Sequence, residues 1–306
     1  MNPSHGARCG VRHFSLLLVA ALAGLGALGC SDSGDPTGSG GEGAVSFTTW
    51  GEAYVEDEIP PDPAGQNGFI DGWTVKYDHF LVNFANITVA DQAGAVAASM
   101  PGGKLFDNHV PDVKSIVDFS DLPAKAYTEI SYEITPPTAD GDVGPDVKSK
   151  LRQKMIDEGY AVYVEATATR GDAKLTYAWG FPISTRYKDC HSEQGGRDEK
   201  GFVIRNNATL EAQLTTHGDH LYYDRLQSSA DPSVQTSLRF DAIAGADADE
   251  DGAITLDELD AVSMAKLVGM YDPSGFRAAT LKDFVTHLAR TVGHFRGEGE
   301  CDIEGL

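Results

Sequence analysis

The amino-acid sequence predicts a mainly β protein, an antiparallel β-sandwich with a helical segment at its C-terminal end. Apolar and polar residues alternate with a period of two through much of the region from Val45 to Leu226, as in strands that bury one face. Turn clusters such as 101–103 (Pro-Gly-Gly) and 170–172 (Arg-Gly-Asp) separate these runs. Short strands with few helices favour two packed sheets.

The predicted elements follow one another along this region. The alternating or β-branched runs are 73–77, 81–90, 127–134, 161–169, 174–183 and 208–216. One helix is expected over 146–159, where Val147, Leu151 and Met155 recur at intervals of four, and another over 278–291. We assign residues 44–230 to the β-sandwich domain and 231–306 to the helical segment.

The first 29 residues have the features of a secretory signal peptide. Arg8 and Arg12 precede the apolar run 16–28, which ends in small residues before Cys30. This arrangement resembles the lipobox of bacterial lipoproteins, which implies that Cys30 receives a lipid and begins the mature chain. Residues 30–43 would then be the lipidated Cys and a flexible Gly/Ser linker. We expect a lipid-anchored protein of the bacterial cell envelope, on the periplasmic face or at the cell surface. The alternative is an ordinary secreted protein.

The net charge of the chain limits the classes of partner that it can bind. There are 24 Lys plus Arg against 46 Asp plus Glu, a formal net charge of −22. That charge repels phosphate backbones, so nucleic-acid binding is excluded, and it favours divalent cations. The sequence has no nucleophile elbow, phosphate-binding loop or zinc-protease motif, so we predict no enzyme activity.

Cys190 and Cys301 are the cysteines that remain if Cys30 is acylated and Cys9 is removed with the signal. Two cysteines in an exported protein most often pair. We therefore predict a disulfide that ties the helical segment back to the loop after the main β region. A metal site with two thiol ligands is the alternative.

Four segments of the β region occur in an order that resembles a periplasmic β-sandwich family. They are a Gly-Trp strand at 72–73, a strand-turn segment over 117–132, an aromatic strand at 177–180 (Tyr-Ala-Trp-Gly) and a late strand that ends at 221–224. The family is the methanobactin-associated copper-binding proteins and their relatives. The resemblance covers about residues 45–226 and implies an exported β-sandwich.

Residues 247–258 (Asp-Ala-Asp-Glu-Asp-Gly-Ala-Ile-Thr-Leu-Asp-Glu) fill the diagnostic positions of an EF-hand calcium loop. Ca²⁺ is a hard cation that takes about seven oxygen ligands. Gly252 permits the sharp turn, and Ile254 is expected to make a short β contact. The predicted ligands are the side chains of Asp247, Asp249, Asp251, Thr255 and Glu258 and the backbone carbonyl of Ala253.

The sequence therefore predicts a C-terminal helical EF-hand segment that binds Ca²⁺. Its exiting helix is expected to start with Thr255 and Glu258 in a capping box and to continue towards Leu267. No second loop of this kind occurs in the sequence. We expect calcium to stabilise the structure, with a regulatory switch as the alternative.

Residues 217–220 (His-Gly-Asp-His) form a second candidate metal site. Imidazoles suit copper and zinc. On a strand, His217 and His220 would point to opposite faces, so a turn at Gly218 is needed to bring them together. An ordinary strand-turn-strand is the alternative. A third ligand would come from elsewhere, with His79, His109 and His191 as candidates.

The favoured function is a membrane-anchored calcium-binding lipoprotein with a non-catalytic binding or structural role. One alternative is a periplasmic copper or transition-metal-binding protein that uses His217 and His220. Another is a calcium-dependent carbohydrate-binding module that uses the aromatic strands around Trp73 and Trp179. The sequence leaves open whether the chain has a protein or glycan partner.

Overall fold

The computed structural model of the chain describes residues 40–65, 67–226 and 235–306. The predicted signal peptide, Cys30 and nearly all of the linker lie outside the described residues. Each helix within these ranges is too short or too polar to cross a membrane.

The described residues are mainly β. The strands, in chain order, are β1 Glu42–Gly51, β2 Thr74–Ala90, β3 Val96–Asp107, β4 Lys114–Pro123, β5 Ala126–Tyr127, β6 Glu129–Ile134, β7 Asp142–Val143, β8 Val162–Arg170, β9 Ala173–Phe181, β10 Thr185–Lys188, β11 His191–Glu193, β12 Asp198–Lys200, β13 Phe202–Val203, β14 Thr209–Thr216, β15 Gly293–Phe295 and β16 Asp302–Gly305. The α-helices are α1 Ala53–Glu56, α2 Ser149–Glu158, α3 Asp241–Ala244, α4 Leu256–Ala261 and α5 Leu281–Leu288. Short 3₁₀ helices occupy Asp219–Tyr222, Met264–Lys266 and Ala289–Thr291.

Two main sheets pack around a shared apolar core, as a β-sandwich requires. The smaller sheet has the order β15-β14-β1-β4, and the larger has the order β16-β10-β6-β2-β3-β7, with β8 on β2 and β9 on β8. The expectation of purely antiparallel sheets is wrong, because β1 runs parallel to β14 and β3 runs parallel to β7. A parallel pair needs a long connection, and most of the domain lies between β1 and β14.

Most of the period-two runs form strands of the larger sheet, namely β2, β6, β8 and β9, while the run 208–216 forms β14 of the smaller sheet. In β2, Val75 and Tyr77 are buried while Lys76 and Asp78 are exposed. The turn 170–172 joins β8 to β9 as a hairpin, as predicted. The alternation marks the stretches with one face on the core and one in solvent, whereas residues 80–85 of β2 are buried on both faces.

The C-terminal segment contributes strands to both sheets. β15 pairs with β14 in the smaller sheet, and β16 pairs with β10 in the larger. The predicted disulfide between Cys190 and Cys301 is present and joins the loop after β10 to the chain just before β16. The last residues of the protein are thus fixed by backbone pairing and by a covalent bond.

The helices on either side of the loop 247–258 are shorter than the sequence pattern indicates. α3 has four residues and α4 has six. α4 does not continue towards Leu267, because Val262 has an extended backbone and its carbonyl accepts the N–H of Leu281. The long helices expected of an EF-hand segment are therefore not observed. The helix expected over 278–291 is present as α5 with a 3₁₀ extension to Thr291.

Candidate metal sites

Residues 247–258 form a tight loop that brings carboxylates together. One oxygen from each of Asp247, Asp249 and Glu258 lies within 4.8 Å of the others. Gly252 has a φ of +80°, a left-handed conformation that glycine adopts readily. The N–H of Gly252 donates to Oδ2 of Asp247 at 3.2 Å, which closes the turn. Three of the predicted calcium ligands therefore surround one point.

Asp247 contains a buried oxygen atom that its surroundings do not satisfy. Within the part of the chain that the structure describes, its Oδ1 has no hydrogen-bond partner. Such an oxygen is costly to bury unless a donor or a cation satisfies it. The carboxylates of Asp249 and Asp251 accept N–H groups of the loop itself, from Asp251 at 3.3 Å and Ala253 at 2.7 Å. The loop is thus prefolded around its acidic side chains.

Glu258 joins the end of the loop to α4. Its Oε2 accepts the N–H of Thr255 at 2.8 Å and the hydroxyl of Thr255 at 2.9 Å, while Oγ1 of Thr255 accepts the N–H of Glu258 at 3.2 Å. This is the capping box that the sequence predicts. The hydrogen bonds from Thr255 lower the pKa of Glu258, so its carboxylate is ionised near neutral pH.

The middle of the loop pairs with β9. The N–H of Thr176 donates to the carbonyl of Gly252 at 2.8 Å, and the N–H of Ile254 donates to the carbonyl of Thr176 at 2.8 Å. The indole N–H of Trp179 donates to the carbonyl of Ile254 at 2.9 Å. β9 pairs with β8 on one side, so the loop covers its other edge. The expected β contact at Ile254 is therefore made with the sheet.

His217 and His220 lie together, and the third histidine beside them is His294. One ring nitrogen from each lies within 4.8 Å of the others. β14 ends at Thr216, and the chain turns at Gly218 into a 3₁₀ helix, which brings the rings of His217 and His220 to 5.3 Å between centroids. His294 lies on β15, opposite Thr215 of β14. The turn that the sequence interpretation required is thus observed.

The three histidines considered as third ligands are not part of this cluster. The ring of His79 contacts Asp107 and Lys148, that of His109 contacts the carbonyl of Val55, and that of His191 contacts Asp198. Those candidates are wrong, because the strand pairing of β14 with β15 decides which histidine approaches. Sequence spacing gives no sign of that pairing, since β15 has only three residues and follows α5.

Hydrogen bonds fix two of the three rings. Nε2 of His217 lies 3.0 Å from Oε1 of Glu52. Nδ1 of His220 lies 2.8 Å from the hydroxyl of Thr291. In contrast, neither ring nitrogen of His294 has a hydrogen-bond partner among the described residues, although only 3% of this residue is exposed. The cluster thus combines two oriented imidazoles with a third that is buried and unpaired.

Burial controls the protonation of the cluster. It lowers the pKa of His294 to about 3, helped by the charge of His217, and it lowers the pKa of His220 well below the usual value. Burial also opposes the charged form of His217, but the hydrogen bond and charge of Glu52 outweigh it and raise the pKa of His217. Two of the three imidazoles are therefore neutral at physiological pH.

A cavity of about 230 Å³ opens onto the three histidines. The carboxylates of Glu52, Asp219 and Glu298 also line it. Burial raises the pKa of Asp219 and of Glu298. The concentration of acidic groups in a partly buried cavity gives it a chemistry suited to a cation.

Trp73 and Trp179 are both core residues. Trp73 is 2% exposed and Trp179 is fully buried. The indole N–H of Trp73 donates to the carboxylate of Asp241 at 3.0 Å, and that of Trp179 donates to the carbonyl of Ile254 in the loop 247–258. Neither ring presents a face on which a sugar could stack. These two residues therefore give no support to a carbohydrate-binding module.

Comparisons with family models, with curated proteins and with solved structures found no match for this chain. The resemblance to the methanobactin-associated proteins therefore stays a prediction, and the function must be argued from the two candidate sites.

Proposed function

We propose that this protein is an exported, membrane-anchored calcium-binding lipoprotein whose Ca²⁺ ion has a structural, non-catalytic role. The ion would occupy the loop 247–258. The observation that carries the proposal is the buried Oδ1 of Asp247, which lacks a hydrogen-bond partner within the described residues and belongs to a group of three converging carboxylates. A hard dication is the partner that such oxygens favour.

The remaining ligands follow from the loop positions. Asp249 and Asp251 would supply carboxylate oxygens, Ala253 its carbonyl, and Thr255 its hydroxyl or a bridging water. Glu258 would supply both carboxylate oxygens from the first turn of α4. Oε1 of Glu258 accepts only the N–H of Ala248, at 3.3 Å, and keeps a free lone pair, whereas Oε2 already accepts two hydrogen bonds from Thr255, so bidentate binding requires the hydroxyl of Thr255 to turn away from Oε2.

The structural role follows from the contacts between the loop and β9. The hydrogen bonds of Thr176 and Trp179 to the loop are made by backbone groups of Gly252 and Ile254, between the first and last ligand positions. An ion that fixes the loop therefore also fixes the cover on the edge of the larger sheet. The side chain of Ile254 is 1% exposed, so the same ion holds an apolar residue in the core.

Calcium titration of the mature chain tests this proposal. After removal of calcium with EGTA, we expect one site with a dissociation constant on the order of 10⁻⁴–10⁻³ M, the range of extracellular modules, and a higher melting temperature with calcium than without. Glu258→Gln keeps an acceptor for the capping box but removes the bidentate carboxylate, so it should weaken binding at least tenfold (about 1.4 kcal/mol) and abolish the thermal shift.

Glu250→Gln is the matched control. It makes the same chemical change in the same loop, at an exposed residue that is not a predicted ligand. It should bind calcium like the unchanged protein. The proposal fails if the unchanged protein takes up no calcium at millimolar concentration, or if the two variants bind equally well.

A further inference from the structure

The three-histidine cluster lies outside the calcium loop and has a different chemistry. Ca²⁺ takes oxygen ligands, whereas imidazole nitrogen suits copper and zinc. We propose that His217, His220 and His294 bind a first-row transition-metal ion, Cu²⁺ or Zn²⁺, at a second metal site in this protein. The ring nitrogens that carry a lone pair, the burial of His294 and the cavity beside the rings all support this site.

The tautomer of His220 follows from a chain of hydrogen bonds. The hydroxyl of Thr291 donates its one proton to the carbonyl of Leu288 at 2.8 Å. It must therefore accept the hydrogen bond that joins it to Nδ1 of His220 at 2.8 Å. Nδ1 of His220 then carries the proton, and Nε2 carries the lone pair that a metal ion requires.

Hydrogen-bond acceptors also fix the tautomer of His217. Its Nε2 faces the carboxylate of Glu52 at 3.0 Å. It also lies 3.4 Å from the hydroxyl of Thr215, whose proton is donated to the carbonyl of Gly297 at 2.9 Å. Both neighbours accept, so Nε2 is the donor and Nδ1 of the neutral ring holds the lone pair. A carboxylate that orients the far side of an imidazole is the usual outer partner of a metal-bound histidine.

His294 is the residue that a purely structural interpretation does not explain. Its ring lies 3.9 Å from that of His217 and 4.9 Å from that of His220, measured between centroids. Within residues 40–65, 67–226 and 235–306 neither of its nitrogens has a hydrogen-bond partner. Buried polar groups are nearly always paired, and the exceptions need an explanation. A metal ion shared with the other two rings supplies a partner for one of the two nitrogens.

The backbone holds the three rings in place. The N–H of His217 donates to the carbonyl of Val292 at 2.9 Å, which joins the end of β14 to the start of β15. The hydroxyl of Tyr77 donates to the carbonyl of Gly218 at 2.6 Å and fixes the turn between His217 and His220. These contacts fix the backbone of the ligands, so binding requires only rotation of side chains: the rings of His217 and His294 are stacked with 25° between their planes and must turn to direct their lone pairs at one ion.

The cavity gives the ion a path and a further ligand. It contains all three histidines together with Glu52, Asp219 and Glu298, so its negative charge attracts a cation. Water from the cavity would complete the coordination of an ion held by three imidazoles, as in open three-histidine zinc sites. By the usual order of metal affinities, Cu²⁺ should bind more tightly than Zn²⁺.

Metal titration of the mature chain in saturating calcium tests the proposal. We expect one equivalent of Cu²⁺ or Zn²⁺ to bind, with His294→Leu weakening the affinity by about 100-fold or more and Glu52→Gln by about 10–100-fold. His191→Leu is the control, because the side chain of His191 is 42% exposed and lies outside the cluster, and this variant should bind as the unchanged protein does. Glu258→Gln should also keep full transition-metal affinity, which separates this site from the calcium loop.

Electron paramagnetic resonance of the Cu²⁺ complex gives a second measurement, and its result for the unchanged protein does not depend on any variant folding. The unchanged protein should show hyperfine coupling to three nitrogen atoms, and His294→Leu should show two. Absence of tight binding, coupling to fewer than three nitrogens in the unchanged protein, or equal affinity of the His294→Leu and His191→Leu variants would each overturn the proposal.

Discussion

Asp247 and His294 each hold buried polar atoms without a hydrogen-bond partner in the described parts of the chain. An unsatisfied buried group costs about 1–3 kcal/mol of folding free energy. A bound cation would satisfy the oxygen of Asp247 and one of the two ring nitrogens of His294, and would remove that part of the cost. The two side chains therefore lower the stability of the metal-free protein in a way that binding would reverse, as is common for functional residues.

Replacement of His294 by Leu should leave the free energy of unfolding of the metal-free protein unchanged, or raise it by about 1 kcal/mol. Leu removes two unpartnered nitrogens and fills a similar volume in the core. Urea unfolding with chelator and without transition metal measures this. The neighbouring Phe295→Ala is the comparison, because Phe295 is fully buried and its loss should cost about 3–5 kcal/mol. A similar loss for His294→Leu would show that His294 is structural.

Gly218→Ala should destabilise the protein by about 1–3 kcal/mol and weaken transition-metal binding. A Cβ atom there would lie 2.6 Å from Cε2 of Tyr77 and 3.0 Å from Cγ2 of Val55, both in the core, so the turn must shift. Thermal unfolding and copper titration measure the two effects. Gly305→Ala, where the nearest atom is 3.6 Å away, should change neither quantity, and equal behaviour of the two variants would contradict this account.

At the scale of elements, the sequence predicts β2, β6, β8, β9 and β14 and misses β1 and β3. β1 buries three successive residues, 47–49, because it lies inside the smaller sheet, so no period of two appears. β3 begins with exposed residues, and the Pro-Gly-Gly cluster 101–103, interpreted as a turn, lies within it. The pairing of β2 with β3 shifts register between Ala85 and Ile87, opposite this cluster. Proline and glycine here mark a β-bulge instead of a chain reversal.

The sequence predicted the calcium loop more completely than the histidine cluster. The calcium loop is local, since all its predicted ligands lie in twelve successive positions, and its capping box was predicted too. The histidine cluster is not local. His294 reaches His217 through the pairing of β15 with β14, and Glu52 follows β1, which itself was not predicted. Residues brought together by long-range pairing leave no periodic signal in the sequence.

Calcium should slow the hydrogen exchange of the amides of Thr176 and Ile254, which join β9 to the loop. The loop opens locally when its carboxylates lack an ion, so these two amides exchange through that opening. Exchange measured by NMR with calcium and with EGTA tests this. The amide of Gly201, bonded to the carbonyl of Cys190, is the control and should not respond. The structural role of calcium is contradicted if all three amides exchange at the same rate under both conditions.

At the scale of the whole molecule, the C-terminal end connects the two sheets. β15 belongs to the smaller sheet and β16 to the larger, and the disulfide lies between them in sequence. His294 lies on β15, so the pairing of the C-terminal end with the sheets positions it. The loop 247–258 comes before β15 in the chain and is held by β9. The two candidate sites therefore depend on the C-terminal end to different degrees.

Removal of the disulfide in a Cys190→Ala/Cys301→Ala variant should lower the free energy of unfolding by about 4–5 kcal/mol, since the bond spans a sequence separation of 111 residues. The backbone on both sides of the disulfide also supports β15, because the N–H of Phe295 donates to Gly299 and that of His191 donates to Glu300. Loosening this region should therefore weaken copper binding at least tenfold while calcium affinity changes less than twofold. Urea unfolding and the two metal titrations measure these quantities on one variant. Equal losses at both sites would mean that the C-terminal end supports the calcium loop as much as it supports His294.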